Sequence, residues 1–342
     1  MFKQLLQEII AGRDLSEEQM AGLVGQILDG QATDSQIGAF MGALAAKGES
    51  FEELTGAARE MRRKAKRIQV SSPVVVDTCG TGGDGANTFN ISTTAAFVVA
   101  GCGITVAKHG NRSVSSQCGS ADLLESLGVN LDVYPEIVEE AIHDIGIGFL
   151  FAPLYHSAMR FAARARKEVG IRSIFNMLGP LTNPAAANCQ VLGVYAPELT
   201  EVFAQTLGSM GVKRAFVVHG HDGLDEISVC ASTRVSELAN GQVKTYDIVP
   251  DDFFGDVARV DEIRGGQPDE NALITRSILE KGARGPQRNI VLINAGAAIL
   301  AAGEADSLKE GIERAEASID SGAAADKLQQ LALFTSQNSP AS

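Results

Sequence analysis

Three stretches of the chain bring together residue types that can handle phosphates and a metal ion. The first runs Asp77-Thr78-Cys79-Gly80-Thr81-Gly82-Gly83-Asp84-Gly85 and continues through Thr88, Asn90, Ser92 and Thr93. Four glycines within six residues let the backbone approach a ligand and turn its N–H groups toward an anion. Ser92 or Thr93 then opens a helix whose free N–H groups and dipole favour a phosphate. Gly80, Gly82 and Gly85 also satisfy the dinucleotide fingerprint, but that site wants an acidic residue about 20 positions further on. Here residues 104–108 offer Lys108 and no carboxylate. The P-loop pattern needs a Gly-Lys-Ser/Thr triplet, and none follows. The loop reads as an anion cradle of another kind.

The second stretch starts at Lys108-His109-Gly110-Asn111-Arg112 and runs through a polar loop to Cys118-Gly119-Ser120-Ala121-Asp122. It supplies two cations, several hydroxyls and a second helix N-terminus. Taken with the first loop it describes a site for a ligand with several phosphates. The third stretch is Asp225-Glu226, after His219-Gly220-His221-Asp222-Gly223-Leu224. Adjacent carboxylates can share a hydrated magnesium, which takes few protein ligands and completes its shell with phosphate and water. A transition-metal site on His219 and His221, or a plain solvated turn, are the alternatives; a hard ion bound with phosphates prefers oxygen.

These loops need a frame. The chain has 342 residues, 45% apolar and 21% charged, an ordinary globular composition with room for two domains. No apolar run reaches the roughly 20 residues of a membrane span, and the longest, 95–107, reads as a helix followed by a strand. The first residues carry no signal-peptide pattern. Five scattered cysteines with no CxxC pair fit reduced thiols in the cytoplasm. A net charge of −13 argues against a general nucleic-acid binder, and makes the few cations beside the glycine loops informative.

Residues 2 to about 68 read as helices only. Phe2, Leu5, Leu6, Ile9 and Ile10 form one apolar stripe, and Met20, Leu23, Val24, Ile27 and Leu28 another. Ser16 with Gln19 and Ser50 with Glu53 resemble capping boxes, and Asp34 can cap a third helix. The basic run Arg62–Arg67 suits the negative end of a helix dipole. From Pro73 the pattern alternates: 74–76, 104–107, 147–151, 191–195, 215–218 and 290–293 read as buried strands, with helices such as 135–145 and 197–210 between them. Such alternation implies a mostly parallel sheet flanked by helices, with ligands beyond the carboxyl ends of its strands. The expected division is a helical domain over 1–70, with part of 155–185 packing on it, and an α/β domain over 71–342.

The chain resembles the anthranilate phosphoribosyltransferase family. The likeness is carried by GTGGD at Gly80, NIST at Asn90, KHGNR at Lys108, GSAD at Gly119, Arg166 in RKEVGIRS, NMLGPLTNP at Asn176 and GLDEIS at Gly223. It extends to about Leu333. The resemblance implies a helical domain joined to an α/β domain of the nucleoside phosphorylase and class III phosphoribosyltransferase type. It implies transfer of the phosphoribosyl group of phosphoribosyl pyrophosphate to the amine of anthranilate, a step of tryptophan biosynthesis. It further implies Mg2+, two ions per subunit, and a homodimer formed through the helical domains.

By the same resemblance Gly80, Thr81, Gly82, Gly83, Asp84, Thr88, Asn90, Ser92, Thr93, Lys108 and Ser120 hold the donor. Ser92, Asp225 and Glu226 hold metal, and Lys108, Asp225 and Glu226 carry the catalysis. The acceptor falls to Gly80, His109, Asn111, His156, Arg166, Gly179 and Pro180. Tyr155, Ser157 and Cys118 depart from the residues usual in the family. Related pyrimidine nucleoside phosphorylases share the fold without the KHGNR signature, and a silent nucleic-acid-binding relative would show a basic surface and a degraded motif.

Overall fold

The computed structural model describes residues 1–113 and 117–338; Val114, Ser115 and Ser116 of the second polar loop lie outside the described residues. Four helices come first: α1 (Phe2–Ile10), α2 (Glu17–Leu28), α3 (Asp34–Lys47) and α4 (Phe51–Lys64). Ser16 with Gln19, Thr33 with Gln36 and Ser50 with Glu53 close reciprocal capping boxes on the last three. The cap of α3 is therefore Thr33, not Asp34. Asp34 becomes the first helical residue, where its charge still faces the positive end of the dipole. The basic run is tied into the protein. Arg62 donates to the Leu181 and Met210 carbonyls, and Arg63, Lys64 and Lys66 pair with Glu60, Asp29 and Glu136.

Next come β1 (Val76–Gly80), α5 (Ile91–Gly101), β2 (Val106–Gly110), α6 (Ser120–Ser126), α7 (Pro135–Ile145) and β3 (Ile147–Phe151). The chain then leaves the sheet for α8 (Ala152–Tyr155), α9 (Arg160–Val169) and α10 (Ile174–Leu178), and returns as β4 (Cys189–Gly193), α11 (Leu199–Ser209) and β5 (Arg214–Gly220). A hairpin of β6 (Thr233–Ala239) and β7 (Gln242–Ile248) precedes α12 (Asp251–Phe254), α13 (Pro268–Leu279), α14 (Pro286–Ala301), α15 (Leu308–Ser321) and α16 (Ala323–Gln337). The seven strands lie in the order β3-β2-β1-β4-β5-β6-β7. β3 to β5 in that order run parallel, and the hairpin adds antiparallel pairs at one edge. The structure is thus a helical bundle joined to a large α/β part with a mostly parallel sheet.

Period-two alternation buries both faces of the sheet. Val76, Val191, Phe216 and Val218 join the core under α5 and α14. Cys79, Leu192, Ala215 and Val217 join a second core that also holds Leu23, Ile27, Phe40 and Leu54 of the N-terminal helices and Phe175 and Leu178 of α10.

One expected strand is a helix. Residues 290–293 lie inside α14, which is buried on nearly all sides. A helix buried all round shows no polar stripe, so a short apolar run in it cannot be told from a buried strand by periodicity. The cues were Gly285, at φ +76°, and Pro286 in the first turn.

Strand order reverses at β1 and β4: the chain moves outward from β1 through β2 to β3, then restarts at β4 on the other side. A crevice opens beyond the carboxyl ends of strands at such a switch point.

Candidate active site

Two glycines shape the floor of that crevice. Gly80 ends β1, Gly193 ends β4, and they are partners in register. A Cβ on either would run into Asp225, on its carboxylate from Gly80 and on its backbone carbonyl from Gly193. The missing side chains therefore admit the segment after β5 that carries Asp225 and Glu226. Asp225 Oδ2 accepts from the Gly82 N–H at 2.7 Å. Glu226 Oε1 accepts from the Ser92 N–H at 3.1 Å, at the first turn of α5. Both half-buried carboxylates thus lie on N–H groups of the kind that bind anions. Burial pushes both carboxyls above the ordinary carboxylate range; Asp84 raises Asp225 further, and Asp225 raises Glu226.

Lys108, on β2, is 4% exposed. Its ammonium donates to the Thr78 carbonyl and to Ser92 Oγ at 3.4 Å. Burial lowers its pKa, opposed by Asp77 beneath it and by Glu226 and Asp225 in front. Asp77 is fully buried and accepts from the His109 N–H at 3.1 Å and from Asn183 Nδ2 at 2.8 Å. Asn183 also donates to the Ala107 carbonyl at 2.7 Å, which staples the NMLGPLTNP segment under both β1 and β2.

The second loop is built around Gly110, where a Cβ would meet Ser120 Oγ. Ser120 Oγ donates to the Asn111 carbonyl at 3.1 Å and accepts from the Asn111 N–H at 3.2 Å, closing the loop on itself. Of the loop's two cations only Lys108 faces the crevice. Arg112 pairs with Asp122 at 3.0 Å and with Glu125 at 2.5 Å. Asn90 joins the two loops: its amide donates to the Cys118 carbonyl at 3.1 Å and accepts from Asn271 Nδ2 at 3.0 Å. Asn271, on α13, is almost fully buried and had no signal in the motifs. Thr88 makes an isolated antiparallel bridge with Arg264. Thr81 donates its N–H to Gly193 O, and Thr93 is buried in α5.

On the far side of β2, His109 Nδ1 lies 3.0 Å from the Gly179 carbonyl. A carbonyl only accepts, so Nδ1 carries the proton and Nε2 presents a lone pair, which has no partner among the described residues. The His156 ring is 5.1 Å away, and Gln190 Nε2 donates to the Pro180 carbonyl at 2.7 Å. Arg166, on α9, is half-buried with its guanidinium 5.7 Å from the Phe175 ring centroid. No carboxylate pairs with it among the described residues, whereas Arg164 pairs with Glu168 at 2.9 Å and Asp34 at 3.5 Å. His219 and His221 do not converge: His219 Nδ1 bonds the Val194 carbonyl at 2.8 Å, and His221 faces Asp247 at 3.3 Å.

The chain matches the Glycosyl transferase family helical bundle domain over residues 3–65 and the family's a/b domain over 72–325. It is 67% identical to the anthranilate phosphoribosyltransferase of Desulfosudis oleivorans, over 99% of this chain and all of that one. The chain belongs to the anthranilate phosphoribosyltransferase family. The Thermus thermophilus member superposes with a TM-score of 0.92 at 41% identity, covering 97% of this chain and 99% of that one. The Saccharomyces cerevisiae member, solved in complex with PRPP and Mg, superposes with a TM-score of 0.89 at 29% identity, covering 98% of each chain.

In this family member the two buried histidines set an acid limit. Burial draws His109 down to about 3 and His156 down to about 4. In the unfolded chain they titrate near about 6.5, so acidification protonates the unfolded state first. The stability they allow is complete above that value and falls as pH drops toward 4. By pH 5 each removes about 2 kcal/mol. Urea unfolding at pH 7.5 and pH 5 should therefore show a smaller acid loss in His156→Asn than in wild type. Equal losses would take His156 out of the account.

Proposed function

We propose that this protein transfers the phosphoribosyl group of phosphoribosyl pyrophosphate to the amine of anthranilate, giving N-(phosphoribosyl)anthranilate and pyrophosphate, in tryptophan biosynthesis. One observation carries the reading. Two sets of anion-binding N–H groups converge with adjacent carboxylates at the β1–β4 crevice, where the buried Lys108 ammonium reaches Ser92.

The donor set at Asp225, Glu226 and Ser92 is all oxygen, and its carboxylates crowd one another, so a hard dication suits it. Magnesium, two ions per subunit, is held there with the phosphates; what it supplies when bound is neutralisation of the departing pyrophosphate. The 80–85 loop, Thr88, Asn90, Ser92, Thr93 and Ser120 hold phosphates and ribose through N–H and hydroxyl groups. Lys108 stabilises negative charge at the leaving group from a buried position, where the charge acts strongly. The aromatic amine is neutral and needs no strong base, so the remaining work is alignment of the two substrates. His109, whose buried Nε2 lies unpartnered near the His156 ring, and Asn111, His156, Gly179 and Pro180 are the residues we assign to the acceptor. Cys79 is no nucleophile, because burial pushes its thiol well up and Gln190 donates to its sulfur.

The helical domain spans 1–70, with part of 155–185 on it, and the α/β domain 71–342. The protein works as a cytoplasmic homodimer joined through the helical domains, for which the exposed Met1 and Ile10 supply apolar surface. The test mixes protein, anthranilate, phosphoribosyl pyrophosphate and magnesium, and follows anthranilate fluorescence. Loss that chelator abolishes supports the reading. Phosphorolysis of a pyrimidine nucleoside in place of that loss overturns it.

Arg166→Ala tests the acceptor side. A guanidinium on a carboxylate contributes on the order of 1.5–3 kcal/mol, so the anthranilate KM should rise about ten- to a hundredfold. The donor KM should barely move. Arg164→Ala, whose partners are Glu168 and Asp34, is the control and should change neither. Equal effects of the two variants would remove Arg166 from acceptor binding.

A further inference from the structure

The glycine loop is gripped from a second side. Arg172 Nη2 donates to the Gly83 carbonyl, one residue from the Gly82 N–H that Asp225 holds. The same guanidinium lies over the Tyr195 ring, its carbon 3.8 Å from the centroid. A Cβ on Gly83 would meet Nη2 at 2.7 Å, and Gly83 itself sits at φ +76°, so the close approach needs glycine on both counts. Among the described residues Arg172 contacts the Gly83 carbonyl and the Tyr195 ring and pairs with no carboxylate. Its contacts are therefore a loop carbonyl and an aromatic face, which fix a planar fork in place.

We infer that Arg172 is a positioning residue for the donor, clamping the 80–85 loop so that its N–H groups stay aimed at phosphate. The inference rests on the donor-binding reading above. The reasoning is peptide geometry. In a trans peptide the C=O and the following N–H point in opposite directions. Fixing the Gly83 carbonyl toward Arg172 therefore turns the Asp84 N–H the other way, and that N–H has no acceptor among the described residues. Without the clamp, a run of glycines with φ near +70° at Gly82, Gly83 and Gly85 can flip its peptides at little cost. Tyr195 follows β4 and supports the guanidinium, so the clamp draws on both strands that flank the crevice. Arg172 also stands just past Gly170, the left-handed cap of the helix that bears Arg166. One short turn thus carries the proposed acceptor arginine at one end and the donor clamp at the other.

The test is a variant series read by KM, kcat and calorimetric binding of magnesium pyrophosphate. Arg172→Ala should raise the donor KM about ten- to a hundredfold, the effect of losing one charge-assisted hydrogen bond. It should weaken magnesium pyrophosphate to match and leave the anthranilate KM within about twofold of wild type. Arg172→Lys should recover only part, since an ammonium can reach a carbonyl but cannot also stack. Tyr195→Leu should act in the same direction, more weakly, and add nothing on top of Arg172→Ala. An unchanged donor KM accompanied only by lower thermal stability would overturn the clamp. So would full rescue by lysine, or additive effects of the two positions. If wild type binds magnesium pyrophosphate yet transfers nothing to anthranilate, the function proposed above fails, and the binding series still decides the clamp.

Discussion

Asp225→Asn combined with Glu226→Gln should lower kcat/KM by about a thousandfold, the scale of losing the main electrostatic stabilisation of a leaving group. The substitutions are nearly isosteric. Each amide keeps a carbonyl oxygen to accept from the Gly82 and Ser92 N–H groups, so the loop and the start of α5 hold their shape. What disappears is charge. The fold should not suffer at neutral pH. A carboxyl whose folded pKa is raised carries no penalty below its unfolded pKa and costs stability progressively as pH rises from there to its folded value. Neutral amides remove that cost. The expected result is therefore a thermal midpoint at or above that of wild type, with activity nearly gone and partly recovered by excess magnesium through mass action. Magnesium should raise the midpoint of wild type more than that of the variant. Activity within about tenfold of wild type would take these carboxylates out of the mechanism.

Lys108→Met should cost about a hundred- to a thousandfold in kcat. It should also lower stability, because the fully buried Asp77 loses the nearby positive charge that offsets its burial. The two losses can be separated. Adding Asp77→Asn removes the stranded charge but puts an amide donor where Asp77 accepts two hydrogen bonds, from His109 and Asn183. It should recover part of the stability and none of the rate. Rate returning together with stability would mean that Lys108 matters only for folding.

The motif loops were legible because their composition is extreme: clustered glycines, an isolated lysine and adjacent carboxylates in an acidic chain. The capping boxes of α2 and α4 and the apolar stripes were equally plain, because they depend on neighbours three and four residues apart; on α3 Thr33 caps in place of the adjacent Asp34. The groups that hold the site were harder to see. Asn183 and Arg172 lie inside the NMLGPLTNP and RKEVGIRS motifs, but nothing local says that one reaches Asp77 and the other Gly83. Asn271 comes from a helix far along the chain. The edge hairpin carries one strong local signal, the Asn240-Gly241 turn between β6 and β7, both residues at positive φ. Its second strand is largely polar, which hid the alternation. The 290–293 run misled for the opposite reason, since α14 has almost no polar face.

The apolar core that unites Leu23, Phe40 and Leu54 with Leu192, Val217 and Leu238 of the sheet bears on how the molecule can be cut and how it can move. A truncated chain starting after α4 would bare Phe175, Leu178 and Leu192 to water, an aggregating surface rather than a stable fragment. Neither part is a transplantable module. A continuous apolar seam also resists sliding, because displaced side chains lose their packing before they find new partners. Rigid-body swinging of the helices against the sheet is thereby discouraged.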